Sequence, residues 1–124
     1  MKIILIEDSI TTGLIIRSLL QNHGFEVIWY KTFESALTGL NDVETSPGEF
    51  PDIAAIIFDY NLDHEEPSTS LVAMIAHRGF SGVMIANSSD EDHNMILKGA
   101  GCTHVRPGTN KTDVVEVCCE LLLN

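Results

Sequence analysis

The stretch IIFDYNLD, residues 56–63, decides the fold of this chain. It completes the apolar run IAAIIF, residues 53–58, and places the ionisable Asp59 directly at the end of that run. A continuous apolar run of this length is typical of a strand that is buried on both faces of a parallel sheet. A carboxylate at the end of such a strand loses hydration, so either a cation or a chemical role must compensate it.

Apolar strand patterns alternate with helical patterns on both sides of this stretch. Strands are predicted at residues 2–6, 25–30, 53–58, 83–86 and 102–105. Helices are predicted at residues 9–23 and 33–40, from Ser68 or Thr69 onward, from the acid-rich segment 88–92 through Leu97, and at 110–123, with a loop over 41–51. Strict alternation with right-handed crossovers predicts an α/β, doubly wound, five-stranded parallel sheet of strand order 2-1-3-4-5, a flavodoxin-like three-layer sandwich.

Length, charge and cysteine content narrow the class of protein. The 124 residues are expected to form one domain, residues 1–124. No apolar run approaches the ~20 residues that a membrane helix needs, and MKIILIEDS at the start is too short and acidic for a signal peptide. A net charge of −11 disfavours direct binding to nucleic acid or to anionic membranes. The three cysteines (102, 118 and 119) show neither disulfide nor zinc spacing, which favours a reducing cytoplasmic location.

Three acidic side chains follow two strands that are neighbours in the predicted sheet. Glu7 and Asp8 end the first strand and Asp59 ends the third. Two carboxylates about 4 Å apart repel each other by ~4 kcal/mol at an effective dielectric near 20. A hard divalent cation such as Mg²⁺ relieves that repulsion and orients an incoming phosphoryl group. The alternative is that Glu7 and Asp8 only cap the first helix and Asp59 only caps a turn.

Three motifs follow one another along the chain: IEDS with its acidic pair, IIFDYNL with Asp59, and KGAGCTHVRP, residues 98–107. Through these motifs, residues 2–123 resemble a receiver domain of the two-component response-regulator family. The resemblance implies that Mg²⁺ is held by Glu7, Asp8, Asp59 and the backbone carbonyl of Asn61. It also implies that Asp59 accepts a phosphoryl group from a histidine kinase or a histidine phosphotransfer protein. The chain would then be a signalling module, acting through conformational change or partner binding, and not a metabolic enzyme.

Three positions depart from the family pattern. Arg106 stands where the family has a lysine before proline, and Asn87 stands where it has a hydroxyl after strand 4, with Ser88 one residue further. Thr103 stands at the aromatic switch position of strand 5. By resemblance, all four residues contact the phosphoryl group or respond to it. The departures also leave open a pseudo-receiver, a protein-interaction module that works without phosphorylation.

The last predicted helix is apolar over most of its circumference. A helix that lies on a sheet needs an apolar stripe only somewhat wider than ~100°, so this helix has apolar surface to spare. Excess apolar surface usually marks an interface. We therefore expect a contact, as a homodimer together with strand 5 and helix 4 or with a downstream protein, through Val115, Cys119, Leu122 and Leu123. The alternative is that the helix continues in a longer protein.

Two enzyme-like or cofactor-binding functions fit the pattern less well. A phosphatase with Asp59 as nucleophile commonly has a general acid two residues later, but that residue is Asn61, and Asp63 is too far along the chain. A flavodoxin-like cofactor binder would use the hydroxyl-rich SITTGLI, residues 9–15, as a phosphate loop. Glu7 and Asp8 immediately before that loop would repel a phosphate.

Overall fold

Strands and helices alternate along the chain as the sequence predicts. The computed structural model describes residues 1–43, 53–62 and 67–123. The strands are β1 Lys2–Ile6, β2 Glu26–Tyr30, β3 Ile53–Phe58, β4 Val83–Ala86 and β5 His104–Val105. The helices are α1 Ile10–Asn22, α2 Phe33–Val43, α3 Thr69–His77, α4 Glu91–Ala100 and α5 Val114–Leu122, and a 3₁₀ turn, Lys111–Asp113, leads into α5.

All strand pairs are parallel and the sheet order is β2-β1-β3-β4-β5, which confirms the predicted fold. Alternate residues of the central strands face opposite layers of helices. One layer is built by α2, α3 and α4 against Ile4, Ile6, Ile56 and Phe58. The other is built by α1 and α5 against Ile3, Leu5, Ala55 and Ile57. Burial on both faces explains why these strands are continuous apolar runs.

Several predicted boundaries are wrong by a few residues. Residues 41–43 belong to α2, so the predicted loop begins later, and residues 44–51 of that loop lie outside the described part of the chain. Helix α4 continues to Ala100, where Gly101 ends it with a φ of 140° that favours glycine. Strand β5 has only two residues. The final helix begins at Val114, because the preceding residues form a 3₁₀ turn capped by Asn110.

Most of the apolar residues that recur at helical spacing in α1 do not lie on its buried face. Gly13, Ile16 and Leu20 are buried against the sheet. The larger part of the apolar pattern is instead exposed to solvent: Ile10, Leu14, Ile15 and Leu19. The helix can turn this way because Gly13 allows it to lie directly against the indole of Trp29.

Replacement of Gly13 by alanine is expected to destabilise the fold. A Cβ at this position would lie 2.0 Å from Cζ2 of Trp29, so the indole or the helix must shift. We expect a loss of about 2 kcal/mol in the free energy of unfolding, measured by urea denaturation. Gly99 in α4 is the matched control, since no atom lies within 4 Å of a Cβ there. Gly99→Ala is expected to gain about 0.5–1 kcal/mol from helix propensity alone, and equal effects at both sites would contradict the packing argument.

Helix α5 uses more of its apolar surface within the chain than the sequence suggests. Val115 is buried in the core beside α1, which corrects its assignment to an exposed interface. Cys119 and Leu122 are partly buried against the same core. Leu123 is 49% exposed. Most apolar side chains of α5 therefore pack against the sheet and α1, and the exposed ones, Leu121 and Leu123, lie at its C-terminal end.

None of the helices within the described residues is long and apolar enough to span a bilayer.

Candidate functional site

The residues that directly follow the strands form a row along the carboxyl edge of the sheet. Each donates its backbone N–H to the last residue of the neighbouring strand. The donors and acceptors are Glu7 to Tyr30, Asp59 to Ile6, Asn87 to Phe58, and Arg106 to Ala86, at 2.8–3.1 Å. This ladder fixes where each of the four side chains starts, and it places acids, an amide and a guanidinium side by side.

Three carboxylates meet at this edge, as the sequence predicts. One oxygen from each of Glu7, Asp8 and Asp59 lies within 4.8 Å of the others. Glu7 and Asp59 are buried and Asp8 is partly buried. They line a cleft of about 480 Å³ together with Asn61, Ser88 and other polar residues of the neighbouring loops. Asp63 lies outside the described residues.

Asp59 is held by hydrogen bonds to its side chain and to its backbone carbonyl. The backbone N–H of Tyr60 donates to Asp59 Oδ1 at 2.9 Å, and the buried hydroxyl of Ser68 donates to the Asp59 carbonyl. Burial raises the pKa of the Asp59 carboxyl from 3.8 to about 8. Its hydrogen bond with Asp8 and the charge of Glu7 also raise the pKa, while Lys111 lowers it. The site therefore disfavours the ionised form of Asp59 until a cation compensates it.

The cation next to Asp59 is Lys111, a residue that was not among the candidates predicted from the sequence. Its Nζ lies 2.5 Å from Glu7 Oε1 and 3.2 Å from Asp59 Oδ1. Lys111 is the first residue of the 3₁₀ turn before α5. A lysine at the start of a turn carries no apolar or motif signal, and the family pattern directs attention to the residue before Pro107.

Arg106 is buried and binds the loops around it. Its Nη2 donates to the Ser88 carbonyl at 2.7 Å, and its Nη1 donates to the carbonyls of Pro107 and Gly108 at 3.2 and 2.8 Å. Within the described residues, it forms no ion pair with Asp59. The residue aligned with the family's lysine thus ties the loop after β4 to the loop after β5.

Asn87 and Ser88 follow β4 but have different surroundings. Asn87 is 1% exposed, and neither atom of its side-chain amide has a hydrogen-bond partner among the described residues. Ser88 lines the cleft, and its backbone is bracketed by the side chain of Asn94, which accepts from Ser88 N at 2.7 Å and donates to Ser88 O at 2.9 Å. Asn94 could not be predicted from the sequence either, because nothing in a helical pattern marks an inward-facing asparagine.

Thr103 does not join this group. Its hydroxyl donates to the Met84 carbonyl at 3.1 Å and accepts from the Met84 N–H at 3.0 Å. Met84 is the second residue of β4 and precedes Asn87 by three residues, so the Thr103 hydroxyl lies away from the carboxyl edge that forms the cleft. An aromatic contact near the cleft is made by Tyr60, whose ring stacks on His93 of α4 with centroids 3.9 Å apart.

The donor set fits a hard divalent cation. Three carboxylates in a partly open cleft, with Asn61 at its border, supply the oxygen ligands that Mg²⁺ takes, and the cleft has room for water ligands. A cation there would offset the carboxylate repulsion that burial strengthens.

Stability is expected to depend on pH and Mg²⁺ together. The folded-state pKa of Asp59 lies above its unfolded value. The stability that this carboxyl contributes is therefore fully present below about pH 4 and is lost as the pH rises towards 8. Added Mg²⁺ should restore stability at pH 8 by about 2–3 kcal/mol at a hundredfold excess over Kd, and much less at pH 5. Thermal unfolding with and without Mg²⁺ measures both effects. An equal Mg²⁺ effect at both pH values, or the same pH dependence in Asp59→Asn, would contradict this assignment.

Comparison of sequences finds no match with a family model or a curated protein. Comparison of structures does find matches. The BeF₃-activated N-terminal receiver domain of Klebsiella pneumoniae RstA matches with a TM-score of 0.75 and 16% identity, over 100% of this chain and 99% of that one. A two-component response regulator from Clostridium difficile matches with a TM-score of 0.74 and 10% identity, over 98% and 94% of the two chains. A response regulator from Thermotoga maritima matches with a TM-score of 0.64 and 20% identity, over 99% and 98%.

The chain therefore has the fold of a response-regulator receiver domain over nearly its whole length. The site described above lies at the carboxyl edge of the sheet, where ligands bind in open α/β folds of this kind.

Proposed function

We propose that residues 1–124 form one receiver domain of a two-component phosphorelay, and that Asp59 accepts a phosphoryl group with the help of Mg²⁺. The observation that supports this most is the convergence of Glu7, Asp8 and Asp59 within 4.8 Å on one edge of the sheet. Buried clusters of like charge are rare unless a cation or a reaction uses them. The position where a phosphatase commonly has its general acid is held by Asn61, which favours a signalling module over a metabolic enzyme.

The residues fit the parts that phosphoryl transfer requires. An oxygen of the Asp59 carboxylate attacks phosphorus, the bond from phosphorus to the donor nitrogen breaks, and the donor imidazole keeps that electron pair. Mg²⁺, held by Glu7, Asp8, Asp59 and the Asn61 carbonyl, would neutralise charge on the phosphoryl oxygens. The apolar strand beneath Asp59 limits access of water. The buried amide of Asn87, without a hydrogen-bond partner among the described residues, provides a donor at the next strand end.

A protein donor is proposed because the cleft adjoins apolar surface. Ile10, Leu14 and Ile15 of α1 are each at least 45% exposed, and α1 begins shortly after the acidic pair. A histidine kinase or a histidine phosphotransfer protein would cover these side chains while it presents its phosphohistidine to Asp59. Such a relay operates in the cytoplasm, and the net charge of −11 favours a protein partner over nucleic acid.

The experiment that tests the proposal is treatment with acetyl phosphate and Mg²⁺ followed by intact mass measurement. We expect a gain of one phosphoryl group that disappears when Mg²⁺ is chelated. Hydroxylamine should release it, because an acyl phosphate is cleaved by that nucleophile and a phosphoserine is not. A stable, Mg²⁺-independent adduct would contradict phosphorylation of Asp59.

A second candidate is the pseudo-receiver, favoured by the ion pairs of Lys111 with Glu7 and Asp59. An internal cation already neutralises part of the cluster, and Asn87 and Thr103 replace the family's switch residues. In that case the chain would bind its partner, or a second copy through Leu123 at the end of α5, without phosphorylation. Amide spectra recorded with beryllofluoride and Mg²⁺ separate the two candidates, since only a phospho-switch should show changes around Asp59 and α4.

A further inference from the structure

Lys111 occupies the position that bridges the acids of the cleft. Its ammonium lies 2.5 Å from Glu7 Oε1 and 3.2 Å from Asp59 Oδ1, and its side chain is 18% exposed. The turn that carries it is anchored, because Asn110 Oδ1 accepts from the backbone N–H and the hydroxyl of Thr112 at 3.2 and 2.9 Å. The ammonium is therefore a built part of the site and not a surface charge that happens to lie nearby.

The guanidinium of Arg106 is hydrogen-bonded to backbone carbonyls away from Asp59. Its two terminal nitrogens donate to three backbone carbonyls, and the residue is 3% exposed. Bringing the guanidinium to Asp59 would break all three bonds, including the buried, charge-assisted one to the Ser88 carbonyl, which is unfavourable. Lys111 meets no such obstacle, since an ammonium is a compact charge on a flexible four-carbon stem.

We propose that Lys111, and not Arg106, supplies the positive charge that pairs with the phosphoryl group on Asp59, and that it bridges Glu7 and Asp59 until a divalent cation replaces it. The inference rests on the proposed function, since it names the residue that completes that site. A divalent cation and the ammonium compete for the same carboxylate oxygens, so binding of one weakens binding of the other. A divalent cation held by the carboxylates would displace Lys111 from Glu7 and leave its ammonium within reach of oxygens added to Asp59.

The test is Lys111→Gln, titrated with Mg²⁺ alone and then with beryllofluoride at saturating Mg²⁺. Affinity for Mg²⁺ is expected to rise about tenfold, because a competing positive charge a few ångströms away is removed. Affinity for beryllofluoride, an anion that mimics the phosphoryl group, is expected to fall about tenfold for the same reason. The single Trp29 reports both events by fluorescence, since its indole N–H donates to the Glu7 carbonyl at 2.9 Å.

Opposite shifts for the two ligands distinguish this role from a structural one. Lys98→Gln removes the same charge from the exposed face of α4 and is expected to leave both affinities within about twofold of the wild type. Lys111→Arg should retain most of the beryllofluoride affinity. If Lys111→Gln behaves like Lys98→Gln, the inference is overturned. If the wild type binds Mg²⁺ but no beryllofluoride, the proposed function fails, while the Mg²⁺ comparison still tests whether Lys111 competes with the cation.

Discussion

Asp59→Asn is expected to take up no phosphoryl group from acetyl phosphate and Mg²⁺, a loss of at least about a hundredfold relative to the wild type. The amide has no anionic oxygen with which to attack phosphorus, and it contributes no negative charge to the cation site. Intact mass measurement over a time course gives the result directly. If Asp59 is the acceptor, we expect no phosphoryl group on the other carboxylates of the cluster, Glu7 and Asp8, in this variant.

Asp59→Asn should lose phosphorylation without unfolding. The Asp59→Asn substitution keeps the size of the native side chain and removes a buried charge, so the metal-free variant is expected to be at least as stable as the wild type at pH 8. Asp92→Asn is the matched control, because Asp92 is an exposed acid in the first turn of α4 outside the cleft. Labelling of Asp59→Asn at the wild-type rate would move the acceptor to another residue and remove the basis of the proposed function.

The sheet could be predicted from the sequence because its central strands are buried on both faces. The runs at residues 2–6, 53–58 and 83–86 coincide with β1, β3 and β4. The last strand is shorter than its predicted range. Cys102 donates its N–H to Leu97 near the end of α4, and the Thr103 side chain bonds to Met84, so neither residue extends β5. A short polar strand has no periodic signal that would separate it from a turn.

The meeting of the three acids was also predictable, since topology alone brings the ends of β1 and β3 together. The identity of the cation beside Asp59 was not predictable. Lys111 reaches the cleft from a turn whose path depends on how the chain leaves β5. Arg106 is held away from Asp59 by hydrogen bonds to three carbonyls that no sequence pattern reveals. The resemblance points to Arg106, because it is the basic residue before a proline. In the structure, the cation beside the carboxylates is instead Lys111, because its side chain can reach them.

The buried face of α1 could not be predicted for a related reason. Apolar spacing predicts which residues share a side of a helix, but not which side the sheet covers when a glycine permits closer packing. Gly13 places the indole of Trp29 against α1, so Ile16 and Leu20 become the buried positions. Ile10 and Leu14 remain exposed on the helix that follows the acidic pair, which is where a protein donor would need an apolar surface.

Arg106→Met is expected to destabilise the protein by about 3 kcal/mol, a decrease of roughly 10 °C in Tm. Methionine retains the aliphatic part of the side chain but leaves the carbonyls of Ser88, Pro107 and Gly108 without their donor. Ser88 keeps its bond from Asn94, so the loop after β5 should lose the most order. Urea denaturation and amide exchange of residues 106–110 measure the two effects.

Arg17→Met is the control for loss of an arginine. The Arg17 guanidinium lies over the indole of Trp29, with Cζ 5.4 Å from the ring centroid, so a change below about 1 kcal/mol is expected there. Arg106→Lys should lose most of the stability that Arg106→Met loses, because one ammonium cannot serve three carbonyls in the geometry of a guanidinium. If Arg106→Lys instead kept full stability and bound beryllofluoride more tightly, residue 106 would be able to reach the phosphoryl group. The division of work between Arg106 and Lys111 would then have to be reversed.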